Sequence, residues 1–366
     1  MKLECLKDKL KEAIILAEKI SGRNLTLPIL STILLETQNK NLIIRATNLE
    51  VGIEMEIPAK IEESGVVAVN ASILLSYLNN LPKEDKITLE LDNNNLKLST
   101  ETTHTLIKSL SAEDFPIIPK ITQEGGFEIK ANDFVDGLQA VAFASAVSDI
   151  KPEISSVYLH NEDQELIFVA TDSFRLAEKK INIPNLGNIN IIIPFKNVNE
   201  LIRVLASLGT SQVMVSYNKN QLAIQTDNLY LTLRVIDGNY PDYKQIIPTK
   251  FNTELNIKKE DFVSLLKLST IFSDRFNQID LTFKPDSNTL EVLSYNQEIG
   301  ENKSSLVIKI KGEPLVISFN AKYLIDCLSS FSDNTINLRF TETNRPLMIE
   351  GITDRSFHYL VMPINK

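Results

Sequence analysis

Residues 70–91 read NASILLSYLNNLPKEDKITLEL, and residues 320–340 read NAKYLIDCLSSFSDNTINLRF. Laid over one another without a gap through the first half, Asn70 meets Asn320, Leu74 meets Leu324 and Leu78 meets Leu328. Leucines at this spacing give a helix one apolar stripe, and the alternation of Ile87, Leu89 and Leu91 that follows has the period of a strand. A third stretch, NVNELIRVLASLGTSQVMVSY from Asn197, sets Leu201 and Leu205 in the places of Leu74 and Leu78 and runs on into alternating Val213, Val215 and Tyr217. A helix-then-strand unit present three times decides the architecture before any single element is placed.

A second helical pattern opens each copy: DKLKEAIILAEKISG from Asp8, ANDFVDGLQAVAFASA from Ala131 and KKEDFVSLLKLSTIFSD from Lys258. Asn132 and Asp133 are the expected N-caps of the middle one. Leu49, Val51, Ile53, Met55 and Ile57 alternate with Glu50, Glu54 and Glu56, which predicts a strand with one wet face. Turn clusters at Asn93–Asn95 and Asn218–Asn220 separate strands. The fold class is therefore α+β, three consecutive repeats of a two-helix, multi-strand domain, with boundaries at 1–123, 124–252 and 253–366.

The net charge of −9 and pI near 5.1 exclude a basic nucleic-acid tail but not a local basic surface. Cys5 and Cys327 lie at opposite ends and read as packed thiols of a reducing compartment. The charged N-terminus MKLECLKDKL and the lack of a long uncharged run predict a cytoplasmic protein with no membrane association. His104, His160 and His358 are scattered through strand-like segments, so no metal and no cofactor is expected. No phosphate loop, G-x-S-x-G or Cys–His pairing is present, and Thr171-Asp172-Ser173 is turn chemistry more than a catalytic acid. The expectation from the residues is a binding protein, not an enzyme.

ATDSFRLA at Ala170–Ala177, GNYPDYKQIIP at Gly238–Pro248 and the terminal YLVMPINK from Tyr359 resemble the bacterial DNA polymerase III β subunit family, the sliding clamps. LPIL at Leu27–Leu30, DFP at Asp114–Pro116 and FNAKYL at Phe319–Leu324 match it in the same order. The resemblance implies a homodimer whose six domains form a ring around duplex DNA without sequence specificity. It further implies tethering of a replicative polymerase subunit, a clamp loader and other clamp-motif proteins, and no catalysis.

By the same resemblance, partners dock a short linear motif in a pocket between the second and third domains. Thr171, Ser173, Phe174, Arg175 and Leu176 would form one wall and Pro241, Gln245 and Ile246 another, with Val361, Met362, Pro363 and Ile364 closing it. Ile154, Phe276, Asn320, Tyr323 and Pro346 fall at further pocket positions. Leu176, Ile246, Val361 and Met362 are expected as an apolar floor, and Thr171, Arg175 and Asn320 as polar groups that orient a peptide. The family often has Gly and His at Ser173 and Phe174, and Arg at Gln245, so partner preference is expected to differ.

A ring that slides needs exchangeable phosphate contacts. Arg23 and Lys196 match family DNA-contact positions. Lys7, Lys11, Lys151 and Arg203, with Lys258, Lys259 and Lys267, are expected on or beside the lining helices, although the helix from Ala131 has no basic residue. Ile107, Ile271 and Phe272 are expected at the dimer interface, where Thr105 stands at a position that is often aromatic in the family. The rival readings are a repeat-built scaffold without DNA and a metal-dependent hydrolase using strand carboxylates.

Overall fold

The computed structural model describes residues 1–22, 27–81, 85–121, 125–148 and 150–364. Helices α1 (Lys7–Ile20), α2 (Ala71–Asn80), α3 (Ala131–Ala142), α4 (Phe195–Leu208), α5 (Lys259–Ile271) and α6 (Ala321–Asp326) fall two to each predicted repeat. The opening helices bury matching positions: Leu10, Ala13, Ile14 and Ala17 on α1, and Phe262, Leu265, Leu266 and Ser269 on α5. On α3 the same spacing is Phe134, Gly137, Leu138 and Val141. Gly137 allows close approach there, because a Cβ would meet the Phe168 ring at 2.5 Å.

The aligned Asn70 and Asn320 are both N-caps: Asn70 Oδ1 accepts from the Ile73 N–H at 3.0 Å, and Asn320 Oδ1 from the Lys322 N–H at 3.0 Å. Asn197 is different, because α4 has already begun at Phe195, directly after Pro194 closes the preceding strand. Asn132 and Asp133 are not caps either. The helix α3 starts before them, and the N–H groups of Ala131 and Asn132 donate to the Ser211 and Gly209 carbonyls at 3.0 and 3.1 Å. Backbone from another segment therefore satisfies a helix end that was expected to use its own side chains.

The chain gathers into two compact units, Met1–Asn132 with Asn199–Val235, and Asp133–Val198 with Ile236–Lys366. The cause is visible in the sheets. In the first unit a sheet of 13 strands runs through Gly125–Lys130, Gln212–Tyr217, Gln221–Gln225 and Leu229–Arg234 onto Val51–Glu63, then through Lys2–Leu6, Lys86–Asp92 and Asn95–Ser99 to His104–Ile107. In the second unit a nine-stranded sheet joins Ser156–Glu162, Glu165–Thr171 and Arg175–Asn182 to Phe357–Val361 and Leu347–Gly351. The middle repeat thus gives strands to the sheet of each neighbour.

Two seams result, both antiparallel. In the first, Leu229–Leu233 pairs with Met55–Val51, setting Tyr230 opposite Glu54. In the second, Arg175–Lys179 pairs with Val361–Phe357, setting Glu178 opposite His358. The expected wet face of the first strand is corrected here. Leu49 lies outside the strand at φ 75° and is exposed, while Glu54 is only 9% exposed. Arg45 binds Glu54 and Glu36 together, and Lys120 reaches Glu54 at 2.8 Å, so a buried carboxylate sits among cations rather than in water.

Candidate functional site

The hairpin Thr171–Arg175 lies in the second unit, and its turn is fastened by its own side chains. Asp172 Oδ1 accepts from the N–H groups of Phe174 and Arg175 at 3.0 Å each, and Oδ2 from Arg175 Nε at 2.9 Å. Thr171 Oγ1 donates to the Arg175 carbonyl at 2.6 Å. Ser173 takes φ 77°, a region glycine enters without strain, and Phe174 is left 61% exposed.

Arg175 does not reach outward. Its Nη1 donates to Asp326 at 2.7 Å and its Nη2 to the Phe143 carbonyl at 2.9 Å, while the guanidinium lies 4.3 Å from the Tyr323 ring centroid. Burial works against its charge, but Asp326 and Asp172 outweigh that and raise its pKa. Asp172 is thereby committed to the turn. Thr171 is 8% exposed, and Asn320 Oδ1 caps α6. The three polar groups expected to orient a ligand instead hold the rim in shape.

The C-terminal segment continues this hairpin. The Met362 N–H donates to the Phe174 carbonyl at 2.8 Å, the Ile364 N–H to Ser318 at 2.8 Å, and Tyr359 Oη to the Tyr323 carbonyl at 2.9 Å. Leu176 and Val361, expected as floor, are 1% and 0% exposed, and Pro346 is buried as well, so all three are core. Leu176 packs with Ile167, Val169, Tyr243, Met348 and Leu360, and thereby anchors the turn Tyr243–Ile246. Accessible apolar surface comes from Phe174, Ile246 (49% exposed) and Phe276 (57%), with Ile154, Tyr323, Met362, Pro363 and Ile364 partly exposed. Pro241 and Gln245 are exposed, and Gln245 donates to Asp242 at 2.7 Å.

Beneath this rim is a polar aromatic layer that sequence reasoning missed. His160 Nε2 is 2.8 Å from the Tyr243 hydroxyl, Tyr158 stacks on Tyr240, and His358 Nε2 is 3.3 Å from Glu178. Burial lowers the pKa of both histidines. Tyr240 and Tyr243 were visible in the GNYPDYKQIIP motif, whereas nothing local pointed to Asp326.

The basic residues are divided. Arg23 lies outside the described residues. Lys196, Lys151, Lys258 and Lys267 are exposed, while Lys7 and Lys11 are partly buried and Lys7 Nζ is 4.0 Å from Asp8. Arg203 is exposed but pairs with Glu200 at 2.9 Å, and Lys259 donates to the Phe331 carbonyl at 2.7 Å. Lys19, not singled out from the sequence, shares a cleft of about 490 Å³ with Arg203, Ser21, Ser31 and Ser72.

Of the expected seam residues, Ile271 is 61% exposed and Phe272 partly so. Ile107 is corrected: it is 5% exposed, already packed inside its own chain, and the outward residue of that edge strand is Leu106, at 49%. Burial pushes the Cys5 thiol up to about 12 and raises that of Cys327 well above its usual value, so neither is an activated nucleophile. Among the described residues no group of three or more His, Cys, Asp or Glu is placed to hold a metal ion.

Three family models match in order: DNA polymerase III beta subunit, N-terminal domain over residues 1–119, central domain over 128–242 and C-terminal domain over 244–365. The beta sliding clamp of Synechococcus elongatus is 27% identical over 371 residues, covering 100% of this chain and 99% of that protein. The DNA polymerase sliding clamp of Bacillus subtilis superposes with a TM-score of 0.94 at 26% identity, over 100% of this chain and 99% of that one. A sliding clamp from Bartonella birtlesii bound to griselimycin gives 0.93 at 25%, covering 100% of both chains. The chain belongs to the DNA polymerase III beta subunit family.

Proposed function

We propose that the chain is a DNA sliding clamp. Two copies close head to tail into a ring of six domains that encircles duplex DNA and tethers the replicative polymerase and other DNA enzymes. The carrying observation is the unbroken order of three clamp-domain matches from residue 1 to residue 365. The domain boundaries of this reading are 1–123, 124–252 and 253–366. Its work is processivity in the cytoplasm, with no turnover of its own. Lys196, Arg203, Lys7, Lys11 and Lys151, together with Arg23, would hold phosphates without reading bases.

The test is retention on nicked circular DNA after loading by a clamp loader. Retention on the circle and rapid loss once it is linearised is the expected result; equal retention on both forms overturns encirclement. Arg23→Ala with Lys196→Ala is expected to weaken loading equally on all sequences and to lower the salt slope.

Partner peptides would dock on the rim formed by Phe174, Ile246, Phe276 and the segment Met362–Ile364. Supporting this, the rim is rigidly fastened and its accessible atoms are mostly apolar. Anchors of about 1.5–3 kcal/mol each, less the cost of ordering a peptide, give the moderate affinity that exchange requires. Deleting residues 362–366 is expected to abolish peptide binding and spare the dimer.

A further inference from the structure

The hairpin that carries Phe174 has a double in the first unit. Residues 46–54 read ATNLEVGIE and residues 170–178 read ATDSFRLAE, and the two align without a gap. Their bonds repeat as well. Thr47 Oγ1 donates to the Val51 carbonyl at 2.9 Å, as Thr171 Oγ1 does to that of Arg175. Asn48 Oδ1 accepts from the N–H groups of Glu50 and Val51 at 3.0 and 2.8 Å, as Asp172 Oδ1 does from Phe174 and Arg175. Leu49 at φ 75° matches Ser173 at φ 77°. The closing segment is the same too: the Arg234 N–H donates to the Glu50 carbonyl at 2.9 Å, where the Met362 N–H donates to that of Phe174.

The second wall of the rim is duplicated with it. Residues 114–119 read DFPIIP and residues 242–248 read DYKQIIP, so Ile117 and Ile118 correspond to Ile246 and Ile247. Ile247 packs against the cluster that holds Leu176, and Ile118 lies on Gly52, where a Cβ would meet it at 3.0 Å. Gly52 stands at the position of Leu176, so here the linker isoleucine fills the space that the leucine fills in the other hairpin. With Ile118 turned inward to 8% exposure, Ile117 is 93% exposed, against 49% for Ile246, and Leu49 is 46% exposed. The frame of the peptide rim is therefore built twice, and each copy presents apolar side chains to solvent.

We propose that the frame around Leu49 and Ile117 is a second docking rim, and that its occupant is an extended peptide with an apolar anchor flanked by lysine or arginine. The proposal rests on the reading of the Phe174 rim as a peptide site. The charge around the anchor position sets the chemistry of the occupant. Glu113 and Asp114, just ahead of Ile117 in the linker, are exposed and make no ion pair among the described residues. Four residues of chain span at most about 14 Å, so one short peptide can cover Ile117 and reach both carboxylates. In the other linker, by contrast, Asp242 accepts from Gln245 at 2.7 Å and Lys244 is paired with Glu162. Glu50 and Arg234 also replace Phe174 and Met362, which removes the aromatic wall. The two rims would thus sort different peptides, one by apolar contact and one by an anchor with cations beside it.

The test is selection of short random displayed peptides on the full-length chain, followed by titration of each against Leu49→Asn/Ile117→Ser and against Phe174→Ser. Two groups are expected. One is rich in lysine and arginine beside an apolar residue, weakens about tenfold or more in Leu49→Asn/Ile117→Ser, and is unaffected by Phe174→Ser. The other behaves in reverse, and its retained binding to Leu49→Asn/Ile117→Ser shows that this variant is folded. Binding of the first group should also fall as salt is raised and in Glu113→Lys/Asp114→Lys, while that of the second should not. If every peptide depends on Phe174 and none on Ile117, the second rim is overturned and the peptide reading of the first stands. Ile117-dependent peptides that are indifferent to salt and to the charge reversal overturn the basic occupant. A chain that retains no peptide overturns both rims.

Discussion

The two internal seams hold a glutamate at the same place by different means. Glu54 and Glu178 occupy equivalent strand positions and are 9% and 4% exposed. Around Glu54 stand Arg45 and Lys120, and together they lower its pKa despite burial. Glu178 is faced by His358 and Tyr243, with Lys180 and Lys244 acting on the histidines from further off. The comparison teaches that the backbone register and the electrostatics of a seam are set separately. The first seam sets its carboxylate against an arginine and a lysine, and the second sets one against a histidine whose pKa burial lowers.

The largest effect is expected at the edge of the second seam, where Arg175 ties the hairpin to Asp326. Arg175→Ala leaves two carboxylates without their partner and should cost about 3–5 kcal/mol, read from urea unfolding of the full chain. Arg175→Lys should recover only part, because an ammonium cannot span Asp172, Asp326 and the Phe143 carbonyl together. Arg45→Ala in the first seam should cost less, about 2–3 kcal/mol, because Lys120 still faces Glu54. A loss as large as that of Arg175→Ala would break the contrast.

The third prediction concerns pH. His160 and His358 have folded pKa values below the unfolded value near 6.5, so the unfolded chain binds more protons as pH drops below that value. Their stabilising contribution is complete above pH 6.5 and is lost as pH falls through the folded values. Hydrogen exchange at Ala177 and Tyr359 should therefore accelerate between pH 7 and pH 5, while exchange at Ile53 and Leu231, corrected for intrinsic rate, should not. Glu54 loses its contribution only below its unfolded carboxylate range. Smallest of all, Lys120→Ala should change stability by less than about 1 kcal/mol, since that side chain is 64% exposed.

The repeat, the helix count and the hairpin at Asp172 were legible because periodicity and turn chemistry are local. Asn70 and Asn320 read correctly as equivalent positions, and both cap helices. What escaped was what a distant segment covers. Strand alternation put Glu54 on the outer face but could not show that Arg45 and Lys120 close over it. Ile107 was recognisable as belonging to an edge strand, yet which face its side chain takes follows from its pairing with Leu96. Arg175 was expected to reach a ligand because its partner Asp326 lies 151 residues away in sequence. Helix α3 showed no side-chain cap because carbonyls of Gly209 and Ser211 take that role.

The way the middle repeat is shared also sets an order on synthesis. The first unit needs residues 199–235 and cannot close its large sheet when residue 132 leaves the ribosome. The second waits longer, because Arg175–Lys179 finds its partner only in Phe357–Val361, far along the chain. Until then the nascent chain carries an open strand edge, which is the kind of surface that invites wrong pairing. A chain interrupted before Phe357 would thus carry the Thr171–Arg175 hairpin with the second seam never formed.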